Sequence, residues 1–125
     1  MVLAVPSVVS GHHAMSAEYG SKQSIMTGVV TRIEYLNPHS ALFMDVKNKD
    51  GTVTNWELQL LPPANLFRAG FRKEQIPVGT TLSVMVVLSK DGGPRAHPLG
   101  SGTLANGEKV PLGGGTVTVP SPAAK

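Results

Sequence analysis

Four histidines, His12, His13, His39 and His97, and a complete absence of cysteine make imidazole the principal nitrogen donor this chain can offer a metal. Neutral imidazole is the commonest protein ligand for copper, zinc and nickel. The residues that invite chemistry therefore point first to a copper or zinc site built from His12, His13 and His39, with His97 as a further donor. A sharper form follows if processing after Gly11 makes His12 an N-terminus. Its α-amino group and ring would then chelate one copper ion, with a third nitrogen from His39 or His97, the arrangement of histidine-brace copper proteins. The competing reading is plain: an adjacent His-His pair in an extended lead faces solvent, and a histidine after Asn-Pro hydrogen-bonds its own turn. No C-x-x-C or H-E-x-x-H spacing decides between them.

Positioning these residues falls to strands. The stretch Gly28 to Val46 holds two strand-like runs joined by Asn37-Pro38-His39. Ile25 to Leu36 alternates with Ile25, Val29, Ile33 and Tyr35 on one face, and Gly28 marks a bulge or bend. Ala41 to Lys47 follows, with Leu42, Met44 and Val46 opposed to Phe43, Asp45 and Lys47. Asp50-Gly51 is a strong hairpin signal because it readily adopts positive φ. It leads to Thr52–Leu60, whose core side is Thr54, Trp56, Leu58 and Leu60. Pro62 to Gly70 predicts a short helix, with Pro63 in its first turn, Leu66 and Phe67 as its apolar patch and Gly70 as its stop. Thr80 to Ser89 is a fourth, strongly apolar strand, Ala96 to Leu104 a weaker fifth, and Asn106-Gly107 turns the chain into Lys109–Leu112. Three strands, a helix, then two strands is the order of an all-β, small OB-like five-stranded barrel with one short helix between strands three and four. A small open β-sandwich is the alternative.

A chain of 125 residues with 14 Gly and 10 Pro accommodates one domain rich in turns. We place that domain at residues 12–112, after a lead at 1–11 and before a Gly/Pro-rich tail at 113–125, where Thr116–Val119 could add an edge strand. The run Val2–Val9 followed by Ser10-Gly11 resembles the end of a secretory signal, so export to the periplasm is preferred over a free apolar arm. No segment reaches the ~20 apolar residues of a membrane-spanning helix. The excess of basic residues, 11 against 8 acidic, is scattered, which argues against a nucleic-acid stripe.

His12-His13 after a signal-like segment, GVVTRIEYLNPH, Asp45-Val46-Lys47, Asp50-Gly51, Asn55-Trp56 and the Pro63–Phe71 helix together resemble a family of small exported bacterial proteins classed only as a domain of unknown function. The resemblance covers roughly His12 to Leu112 and implies periplasmic export and a small β-barrel, with no established activity. Two departures stand out. Ala14-Met15 replaces the Ser-Phe of that pattern, and Gln59 stands where it implies a Glu.

Hydrolytic chemistry lacks a basis: Glu18, Glu34, Asp45 and Glu57 have no recognisable spacing, and no G-x-S-x-G is present. Single-strand binding, common on OB folds, needs several aromatics over a basic floor, and these are too few here. The expectation is a periplasmic module for a small-molecule or protein ligand, with Asn37, His39, Trp56 and Tyr35 as ligand-binding residues and the histidines as a metal site. A copper-dependent redox enzyme with a His12 brace is the alternative, and a metal-free interaction domain a third. Either a monomer or a dimer paired through the edge of strand five is expected.

Overall fold

The computed structural model describes residues 19–113, with side chains from residue 22 onward. The expected lead and tail, including His12, His13 and the strand at Thr116–Val119, lie outside the described residues. Among these residues seven strands form one sheet: β1 (Tyr19–Glu34), β2 (Ala41–Lys47), β3 (Val53–Gln59), β4 (Thr81–Ser89), β5 (Arg95–Pro98), β6 (Ser101–Leu104) and β7 (Lys109–Pro111). Helix α1 (Pro63–Arg68) and a single 3₁₀ turn (Lys73–Gln75) separate β3 from β4. The strand order is β1-β2-β3-β5-β4, and a further pairing of β4 with β1 closes a five-stranded barrel. β3 and β5 run parallel and the other pairs antiparallel. The OB-like barrel expected from the sequence is therefore the fold.

Closure depends on β1, which pairs with β4 along its first half and with β2 along its second. A strand shared in this way must curl sharply. At the changeover, a Cβ on Gly28 would lie 2.5 Å from the Asp45 carbonyl oxygen and 2.9 Å from Val46 Cγ2, so only glycine lets β2 approach so closely. The bulge itself lies three residues later, where Thr31 is inserted between the pairs Val30↔Met44 and Arg32↔Phe43. An extra residue reverses the inward-outward alternation, which overturns the expected face of the first strand. Met26 and Val30 are buried, while Ile25 and Val29 are 65% and 42% exposed; only Ile33, beyond the bulge, joins the core.

Elsewhere the alternation holds. Leu42 and Met44 of β2, Leu58 of β3, and Leu82, Val84 and Val86 of β4 fill the barrel, with Trp56 packed half-buried against them. The strand expected at Ala96–Leu104 is two, because the chain turns at Gly100, where φ is +66°. β5 closes the barrel between β3 and β4, so both its edges are paired and the edge-paired dimer expected of strand five has no free edge there. β6 continues along β4 and folds back through Asn106-Gly107 into β7. In α1, Leu66 is buried and Phe67 is 62% exposed, so the expected apolar patch is divided between core and surface. No helix among the described residues is long and apolar enough to cross a membrane.

Candidate functional site

Barrel closure brings His39 and His97 to one corner of the outer surface, with Gln59 between them. The antiparallel ladder sets Gln59, the last residue of β3, opposite Ala41, so His39 lies just before that pair. The parallel ladder pairs Glu57 with Arg95 and Leu58 with Ala96, which carries His97 alongside Gln59. Ala96 faces the core, so alternation turns His97 to the same outer side as Gln59.

Gln59 engages both rings. Its Nε2 lies 2.8 Å from His39 Nδ1, and its backbone carbonyl accepts an N–H from the His97 ring. His39 is exposed, next to the cis Asn37–Pro38 peptide bond, whereas His97 is only 8% exposed. Burial first, and then the neighbouring His39 charge, lower the pKa of His97 below its ordinary 6.5, against the opposing hydrogen bond to Gln59. His97 is therefore neutral at physiological pH, the form that ligates metals.

A cleft of about 390 Å³ opens beside this corner, and its lining includes Asn37, Pro38, His39 and Gln59 together with Glu34 and Glu57. Glu34 is bridged to Arg32 at 3.4 Å, and the Arg32 guanidinium lies 4.0 Å over the Phe43 ring. Ser40 also lines the cleft, and its buried Oγ has no hydrogen-bond partner among the described residues. A buried hydroxyl in that state accepts water or a ligand group at little cost.

The ligand-binding residues expected from the sequence divide into three places. Asn37 and His39 line the polar cleft. Tyr35 turns the other way, into a second cleft of about 470 Å³ under α1, where its ring centroid is 6.1 Å from that of Phe71. Burial and the nearby Glu74 charge raise the Tyr35 pKa above its usual 10.0, so its phenol stays protonated. Trp56 packs on the core and is among the lining residues of neither cleft. His12 and His13 lie outside the described residues, and among those described no three His, Asp or Glu side chains converge to hold a metal ion unaided. The sequence reading gave Gln59 no role; strand alternation from Leu58 and Leu60 was the signal that it faces outward beside His39.

The rings and Gln59 can nonetheless cooperate. An amide reorients by rotation of its terminal torsion, exchanging donor for acceptor. With Oε1 toward His39, Nδ1–H is donated to Gln59 and Nε2 keeps a lone pair for a metal. A ligating histidine whose other ring nitrogen donates to a carbonyl is the usual arrangement of such sites.

Residues 1–97 match the model of a family described only as a family of unknown function (DUF6152). No curated protein and no solved structure matches the chain.

Proposed function

The chain belongs to that family of unknown function, and from its own geometry we propose that it is a small exported binding module that takes one copper or zinc ion at the His39–Gln59–His97 corner. The observation that carries this reading is the joint engagement of two histidines, far apart in the chain, by one glutamine. His97 and His39 supply one imidazole nitrogen each, and Gln59 orients both rings. Two donors leave coordination positions open, to be filled by water or by a histidine of the lead.

Reach favours the lead. Tyr19 pairs with Ser89, and His97 pairs with Val87 on the same strand. The step from His13 to Tyr19 spans up to about 20 Å when extended, ample to return to His97. Export is supported by the apolar run Val2–Val9 ahead of the His-His pair.

The test is calorimetric titration of copper(II) and zinc(II) into the intact chain and into His39→Ala, His97→Ala and His12→Ala/His13→Ala variants, with electron paramagnetic resonance of the copper form. Loss of one imidazole donor at a shared site is expected to weaken binding at least tenfold, about 1.4 kcal/mol. Binding indifferent to both His39 and His97 would refute the site. Binding that also needs His12 or His13 assigns the further donors to the lead, and would make oxidative activity the next property to assay.

A further inference from the structure

The second cleft is unlike the first and owes nothing to the histidines. Its floor is the buried Leu66 of α1 and Phe71, its walls are Tyr35, Pro63 and Phe67, and its rim carries Arg72, Lys73 and Glu74. A concave, mainly apolar space of this size with a few convergent polar groups is the usual form of a small-molecule site.

The polar groups at its mouth favour one charge. The Arg72 guanidinium stacks on the Phe67 ring at 3.8 Å, and its Nη1 donates to the carbonyls of Phe67 at 3.0 Å and Phe71 at 2.7 Å. These contacts fix the guanidinium plane, while the Nε–H and Nη2 donors have no partner among the described residues. A guanidinium held rigid with spare donors is suited to a carboxylate, which it binds through two parallel hydrogen bonds. Lys73 adds a second positive charge against the single negative charge of Glu74. The phenol of Tyr35, kept protonated, contributes a neutral donor to the same space.

We propose that this cleft binds a small apolar carboxylate, its aromatic or aliphatic body against Tyr35, Leu66 and Phe71 and its anionic group at Arg72. The role is separate from metal binding, because the lining residues of the two clefts do not overlap.

The test compares three probes that share one ring system: 2-naphthoate, neutral 2-naphthalenemethanol and cationic 2-naphthylmethylamine. Each is titrated into the intact ¹⁵N-labelled chain and followed by amide chemical shifts. The expected result is a saturable shift confined to the cleft lining, Tyr35, Leu66, Phe67, Phe71, Arg72, Lys73 and Glu74, with the carboxylate bound about fivefold or more tighter than the cation. Arg72→Gln is expected to erase the preference of carboxylate over alcohol. Since Arg72 also supports the end of α1, Glu74→Gln provides the complementary variant, and it should tighten the carboxylate while leaving the alcohol unchanged. Shifts that map elsewhere, no saturable binding, or a cation bound as tightly as the carboxylate would each overturn the proposal. The histidine ring signals are expected to stay still throughout, so failure here is distinct from failure of the metal site.

Discussion

The two clefts flank the same five residues, Tyr35 to His39, yet they are built by different means. The polar cleft is a product of strand register: Gln59 and His97 sit at fixed places on β3 and β5, and closure of the barrel brings them together. The apolar cleft is a product of one short helix, held to the barrel chiefly by Leu66 at 1% exposure and by Phe71. Six helical residues have little intrinsic stability. The first site should therefore survive changes that dismantle the second, and each can be altered while the other serves as control.

Leu66→Ala is expected to have the largest effect. Removing a fully buried leucine costs about 2–5 kcal/mol, to be read as a lower urea midpoint at pH 7. In the protein that remains folded, the apolar cleft loses carboxylate binding while the ring signals of His39 and His97 keep their positions. If the histidine signals move as much as those of α1, the two sites are not independent.

Gln59→Glu sharpens the contrast from the other side. It puts a carboxylate where an amide now lies 2.8 Å from His39 Nδ1, giving the Nδ1–H a charged acceptor that fixes the ring and makes Nε2 more basic. Zinc affinity is expected to rise about tenfold by calorimetry, in line with the 10–100-fold leverage of groups that orient metal ligands, with no change in carboxylate binding under α1. Unchanged zinc affinity would mean that residue 59 does not orient the ligating ring of His39.

Acidification from pH 7 to 5 should act on the polar corner before it reaches the carboxylates of Asp50 and Asp91, whose pKa values are lowered. His97 has a folded pKa below its ordinary 6.5, so the folded state binds fewer protons than the unfolded one across that interval. Stability is then complete above about pH 6.5 and falls as the pH drops toward the folded value. Urea unfolding at pH 7 and pH 5 should show this decline, and it should shrink in His97→Gln. His39→Ala removes one of the two influences that lower the His97 pKa, so it should move the ring titration of His97 upward.

The smallest expected effect belongs to Ser40→Ala. Its Oγ is buried without a partner among the described residues, so its removal should be neutral or stabilise by up to about 1 kcal/mol. A clear loss of stability would mean that an ordered water or ligand normally satisfies this hydroxyl.

Much of the barrel was legible because two-residue alternation in β2, β3 and β4 is uninterrupted, and because Asp50-Gly51 and Asn106-Gly107 turn where their backbone preferences require. The first strand was misread because Gly28 was the visible mark of a bend, while the inserted residue is Thr31, which has no distinguishing composition. Gly28 answers instead to the approach of Asp45 across the sheet, a long-range contact. At the site, His39 could be found by its type. Its link to His97 could not, because that requires the parallel register of β3 and β5, and short parallel pairs carry no local sequence signal. Tyr35 and Trp56 were grouped with His39 by residue type, whereas side-chain direction sends Tyr35 under the helix and Trp56 against the core. The apolar cleft went unseen because Arg72 stacked on Phe67 reads in sequence as an ordinary loop.

The claim that His39 and His97 form one site is tested most directly by adding zinc(II) stepwise to the intact chain and following the ring Cε1–H signals of both histidines. The two rings are expected to respond together, with the same saturation point at one equivalent of metal, and in His39→Ala or His97→Ala the remaining ring to saturate only at about tenfold or more higher zinc. Saturation of His39 alone, with His97 unmoved to several equivalents, would contradict it.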